Sequence, residues 1–189
     1  MTPDSIFAIE ETEKVAGHFV ACFTGLYEAL GEGASKFTDD ATVVAVFEMA
    51  RTFGDTASLF RSLLAHRAGV DPDSVVRSVP EMNEVLLRAI DEDPSGALCL
   101  YVVSLVIAPL LLVSLRDAGT RVSLVSAGPL SECTAKAADV VVGAIRQIGD
   151  LAESWAPLLD DAWRDSAKAL GRTLEASGYN ESLGLGLFG

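Results

Sequence analysis

Between Ala97 and Leu115 the chain reads ALCLYVVSLVIAPLLLVSL, nineteen residues without a charge. Its polar side chains are the hydroxyls of Tyr101, Ser104 and Ser114 and the thiol of Cys99. A helix of that length is about 28 Å long, close to the ~30 Å of a bilayer's hydrocarbon core. Such a helix has no polar face of its own to turn to water, so something must cover it on every side. Three environments satisfy that demand: the core of a bundle or a core shared between copies, partial insertion into a membrane, or a true span. Pro109 lies within the segment, and helices tolerate proline where neighbours satisfy the freed carbonyl. Arg88 precedes the segment and Arg116 and Arg121 follow it, so the flanking cations give no clear orientation across a membrane.

The rest of the chain reads as amphipathic helices. Thr2-Pro3-Asp4 is a helix start, followed at helical spacing by Ile6, Ile9, Ala16, Phe19, Val20, Phe23, Tyr27 and Leu30, and stopped by Gly31-Glu32-Gly33. Thr38-Asp39-Asp40 caps a second helix, with Val43, Val46, Phe47, Ala50, Phe53, Ala57, Phe60, Leu63 and Leu64 inward and Gly69 as its end. Asp71-Pro72-Asp73 opens a third helix that bends or restarts at Pro80. Ser131–Gly149 and Leu151–Ser177 read as two amphipathic helices, or as one weakened at Gly143, Gly149 and Pro157. A rival α/β reading places strands at Arg121–Ser126 and Asp139–Val142.

The expected fold class is all-α: a helical hairpin followed by long amphipathic and apolar helices, as an oligomeric bundle or coiled-coil-like assembly. Three regions follow. Residues 1–70 form a Phe-rich hairpin, and residues 71–178 hold the uncharged helix 97–115 and the amphipathic helices 131–177. Residues 179–189 form a Leu/Gly tail. Ile145, Ile148, Trp155 and Leu158 trace an apolar stripe that reads as a core face or a self-association seam, with lipid anchoring by the tryptophan as a further reading.

Charge narrows the partners. The chain carries 14 Lys and Arg against 27 Asp and Glu, a net −13, with no clustered basic patch. It repels phosphate backbones and anionic lipid headgroups, so nucleic acid is not expected and membrane contact must come from apolar surface. The odd trio Cys22, Cys99 and Cys133, each in an apolar stretch, fits reduced structural thiols. Acids near Met1 replace the basic start of a secretion signal, which points to a cytoplasmic protein.

Catalytic signatures do not emerge. There are two histidines, His18 and His66, and the position where a carboxylate-bridged metal helix needs histidine is filled by Arg51 in Glu48-x-x-Arg51. No nucleophile elbow, phosphate loop, dinucleotide fingerprint or Cys-x-x-Cys occurs. His18 lies one turn before Cys22 and can lower a thiol pKa, but the apolar setting favours a packed thiol. The stripes Glu48/Arg51/Asp55 and Asp161/Arg164/Asp165/Lys168 read as solvated faces. The chain is therefore expected to be a non-catalytic subunit, without metal or covalently bound cofactor.

Two resemblances bear on role. The tail Glu181-Ser-Leu-Gly-Leu-Gly-Leu-Phe-Gly189 resembles the docking peptides of cargo loaded into encapsulin shells, although it does not end in their usual Ser-Leu and basic residues. In overall layout, the chain is similar to the small membrane-associated scaffold subunit of high-affinity, oxygen-tolerant [NiFe]-hydrogenase complexes. The features behind this are its length, its Phe-rich first two helices, its uncharged Ala97–Leu115 segment and its later amphipathic helices. That resemblance implies a homo-oligomer that grips a larger enzyme with one end of the chain. It also implies a cytoplasmic location at the inner face of the cell membrane and an apolar passage for a menaquinone-type quinone. It would make Val102, Val106, Leu110 and Val113 the lining. The alternative is a soluble helical-bundle enzyme or ligand-binding protein, encapsulated in a shell or not, with an apolar pocket around Tyr101 and Cys99. On the scaffold reading, Val106→Asp abolishes both oligomer and lipid contact, measurable by native mass and vesicle flotation.

Overall fold

The computed structural model describes residues 9–64, 71–77, 79–120 and 127–155, with the isolated positions 165, 168, 169 and 172. The described chain is all-α. Helix α1 spans Ile9–Ala34 and α2 spans Asp40–Arg61; a 3-10 turn at Pro72–Val75 leads to α3, Pro80–Glu92. Then come α4 (Ala97–Val102), a π-helical segment (Val103–Ile107) and α5 (Ala108–Thr120), continuous as one helix from Ala97 to Thr120. The last element is α6, Ala127–Trp155. No strand occurs among the described residues, and Asp139–Val142 lies inside α6, which removes half of the α/β alternative. Its other half, 121–126, lies outside the described residues.

Two helix pairs build the body. The first is α1 against α2, joined by the short link 35–39 and packed through phenylalanines. The Phe19 and Phe60 rings are 5.0 Å apart, and Phe23 lies 5.9 Å from both Phe53 and Phe60, stacked on the latter. Such pairs add ~1 kcal/mol each beyond the area they bury. The second pair is α5 against α6. Leu111, Leu115 and Ala118 are buried on one side, and Leu130, Cys133, Thr134, Ala137 and Val141 on the other. Helix α3 packs on α1 and α4 and links the pairs. A single cluster of buried residues runs from Val15 to Ile148.

Local boundaries follow the chemistry of caps. The α2 N-cap is Asp39, whose Oδ2 accepts from the Thr42 N–H at 2.9 Å and the Thr42 hydroxyl at 2.8 Å. Asp71-Pro72-Asp73 caps only the 3-10 turn, with Asp71 accepting from Asp73 N–H, and the α-helix itself starts at Pro80. The turn is pressed onto α1 at Gly17. A Cβ there would lie 2.4 Å from the Val75 carbonyl oxygen, so no larger residue fits. Helix α2 ends at Arg61, followed by a turn to Leu64, short of the expected stop at Gly69. Helix α6 passes through Gly143 and Gly149 unbroken.

The junction before the uncharged helix is the most constrained point. Asp93 is fully buried. Its Oδ1 accepts from Ser95 N–H at 2.7 Å, and its Oδ2 accepts from the Ser95 hydroxyl at 2.8 Å and from Leu98 N–H at 2.8 Å. A carboxylate at this helix start satisfies donors that would otherwise be orphaned and meets the positive end of the helix dipole. On the other side, the Lys36 ammonium donates to the Ile90 and Asp93 carbonyls and closes the end of α3. Gly96 turns the chain with φ +78°, and a Cβ there would meet the Phe37 ring at 3.0 Å and the Gly33 carbonyl at 3.1 Å. Asp93→Ala is expected to cost roughly 2–3 kcal/mol, since it removes the cap and leaves buried donors unpaired. Urea unfolding checks this, and a loss no larger than that of an exposed Asp→Ala control contradicts it.

Candidate functional site

The uncharged stretch does not vanish into the core. The helix Ala97–Thr120 is long and apolar enough to cross a membrane, and a core helix of a soluble protein can have the same make-up. Burial accounts for 61% of its most apolar window. The inner side, including Leu98, Cys99, Val102, Val103, Ile107, Leu111 and Leu115, packs into the body. The outer side carries Leu105, 55% exposed, and Val113, 51% exposed, with Pro109 exposed between them at four-residue spacing. Tyr101, Val106, Leu110 and Leu112 flank this line, half-buried against the core. Arg116 is exposed at its far end. The outcome is an apolar face with no charged side chain for nearly five turns, on a chain of net charge −13.

Pro109 shapes this face. It has no N–H to give to the Leu105 carbonyl four residues back, and its ring crowds that carbonyl. The helix widens just ahead of it: Ala108 N–H donates to the Val103 carbonyl five residues earlier, and the π segment Val103–Ile107 results. Single π turns of this kind recur at functional sites. The helix therefore accommodates the proline without a break, and Leu105 sits at the widened turn on the outer side.

The residues assigned to a lining divide by environment. Val102 is fully buried in the chain's own core, Val106 and Leu110 are half-buried, and Val113 faces out. On α6, Ile148 is 2% exposed and packs inside the chain, while Ile145 is half-buried against the same core. The side chain of Trp155, and Leu158 and the tail 179–189, lie outside the described residues. Leu105 and Pro109, which the sequence reading passed over, belong to the outer face. A four-residue count back from Val113 finds both, but the direction of the core, which decides which line faces outward, is not written in a segment apolar on all sides.

Thiol chemistry is disfavoured by burial. His18 Nε2 lies 3.5 Å from Cys22 Sγ, with both side chains buried. Burial lowers the His18 pKa to about 4 and raises that of Cys22, so the pair rests as neutral imidazole and thiol, not as an ion pair. Cys99 is pushed up to about 12 by the same cause and packs 3.7 Å from where a Gly33 Cβ would be. The stripe Glu48, Arg51 and Asp55 is exposed. No group of three or more His, Cys, Asp or Glu positioned to hold a metal ion occurs among the described residues. Two clefts remain. One of about 220 Å³ lies between α2 and α6, lined by Met49, Thr52, Phe53, Val140, Gly143, Ala144 and Gln147. The other, of about 140 Å³, lies between α1 and α3 beside Glu28, Glu32 and Asn83. Neither of these two is lined by Tyr101 or Cys99.

Comparison with known protein families, curated proteins and solved structures gives no match for this chain.

The buried histidine yields a pH prediction. Between pH 6.5 and about 4 the unfolded chain takes up a proton that folded His18 refuses, so stability is complete above 6.5 and falls as pH drops through that window. The loss is on the order of 3 kcal/mol. His18→Gln should flatten this part of the curve in urea titrations. An unchanged slope in the variant would assign the loss to carboxylates instead.

Proposed function

We propose that this protein is a non-catalytic, self-associating helical subunit that holds a larger enzyme at the inner face of the cell membrane. One observation carries the reading: the outward apolar face of the Ala97–Thr120 helix, centred on Leu105, Pro109 and Val113. Exposed apolar surface that is contiguous marks a contact with protein or lipid, whereas single exposed leucines are ordinary. The net charge of −13 supports apolar over electrostatic attachment. Copies meet on this face, and the half-buried Val106, Leu110 and Leu112 beside it border the gap between them, a path open to a lipophilic molecule of the quinone type. The larger partner is a redox enzyme of hydrogenase type in this proposal, which rests on the resemblance in layout alone.

Residue choice matters for the test. Val106 packs partly on the core, so an aspartate there also disturbs the fold. Leu105→Asp and Val113→Asp place the charge where water already reaches. Both should keep the thermal midpoint within a few degrees of wild type, as surface changes do. Both should lose self-association in sedimentation velocity and lose flotation with zwitterionic vesicles. A wild-type chain that stays monomeric through a concentration series and ignores vesicles sinks the proposal, as do variants that assemble and float unchanged.

A further inference from the structure

The proposed role needs a surface for the larger partner apart from the outer face of the apolar helix, and this step rests on that role. We infer that the groove between α1 and α3 seats a basic, amphipathic segment of a protein partner. The groove is lined by Gly25, Ala29, Asn83, Leu86 and Leu87, with Leu87 51% exposed. Its volume of about 140 Å³ suits one benzene-sized group. Sites for whole small molecules begin near ~300 Å³. A single apolar side chain of a larger chain therefore fills it, and the rest of that segment lies across the rim.

The rim selects the charge of the segment. Glu28 and Glu32 line the groove one turn apart on α1. On α3, Glu84, Leu87 and Asp91 follow one another at three- and four-residue spacing, so both acids share the exposed stripe of Leu87. All these carboxylates are exposed, and none has an ion-pair partner among the described residues. Acids elsewhere are met by cations: Glu92 by Arg88, Asp73 by Arg61 and Glu132 by Lys136. Arg51 stands between Glu48 and Asp55 on α2. Lys36 follows Glu32 by one turn, but its ammonium is taken up by the Ile90 and Asp93 carbonyls and offsets at most one acid of the rim. Asn83 adds an acceptor that lacks a donor: its Oδ1, packed against Gly25, has no hydrogen-bond partner among the described residues. Lysine and arginine match such a groove with both parts of the side chain, the stem on Leu86 and Leu87 and the charged head on the carboxylates. The same acids repel anionic lipid and nucleic acid.

The probe is a synthetic Leu/Lys peptide with amphipathic helical spacing, labelled with fluorescein and titrated with the full chain at physiological salt. A peptide of the same composition in scrambled order controls for net charge. The ordered peptide should bind, and the scrambled one about tenfold more weakly, for want of an apolar anchor beside its charges. Glu28→Gln with Glu84→Gln should weaken the ordered peptide about tenfold, the loss of two rim pairs. Leu87→Ser should weaken it as well. Glu48→Gln with Asp55→Asn makes the same change of charge on α2 and should leave binding within about twofold, as should Leu105→Asp on the outer face. Circular dichroism and thermal midpoint verify that the variants fold. Equal weakening by the two carboxylate pairs assigns the attraction to the whole acidic chain and overturns the inference. Loss of binding in Leu105→Asp places the peptide on the outer face and overturns it too, as does a scrambled peptide that binds as tightly or an ordered peptide that does not bind. Sedimentation velocity and flotation of the wild-type chain without peptide test the proposed role separately, so either reading can fall while the other stands.

Discussion

A helix that is apolar on every side has to begin somewhere, and its first turn carries backbone donors that cannot be left dry. Asp93 resolves that conflict. Its buried carboxyl group accepts from the Ser95 and Leu98 N–H groups at the start of the helix. Lys36 closes the end of α3 on the other side of the same residue. Gly96 supplies the left-handed turn that places both ends against Phe37 and Gly33. With that junction made, the apolar helix can leave the centre of the body and lie along α6. The Phe19, Phe23, Phe53 and Phe60 cluster and the α5–α6 pair then close around one core.

The body so built is asymmetric in its demands. The inner side of the Ala97–Thr120 helix is fully occupied by its own chain, from Val102 through Leu111 to Leu115. The outer side is not, and nothing charged interrupts it between Tyr101 and Arg116. The π turn forced ahead of Pro109 pushes Leu105 to the centre of that side. Covering such a face recovers roughly 25 cal/mol for every Å² withdrawn from water, which is the driving force available to an assembly. Thiol chemistry has no comparable basis here: His18 and Cys22 touch, yet burial holds both neutral.

How far the sequence was readable differs from region to region. Phe19, Phe23, Phe53 and Phe60 stood out by helical spacing and do form the α1–α2 contact. Tyr27 and Phe47, assigned to the same inward faces, are 48% and 49% exposed, while Leu26 and Met49 are buried in their place. Tyr27 stands one position from Leu26 and Phe47 two from Met49, and periodicity alone cannot fix the edge of an apolar face when apolar residues crowd so close in the chain. Asp71-Pro72-Asp73 had the chemistry of a helix start but yields only a 3-10 turn, because the chain must pass close over Gly17 before α3 can begin at Pro80.

The sequence by itself determined that the chain is helical, that its caps lie at Asp39 and Asp71, and that the stretch from Ala97 to Leu115 has to be sheltered from water. These are local consequences of side-chain chemistry and spacing. Only the tertiary structure decided which side of that stretch is sheltered. The phase of a helix apolar all round is set by the neighbours it packs on, here α3 and α6. It is their position that leaves Leu105, Pro109 and Val113 facing outward and buries Val102 and Ile148 inside.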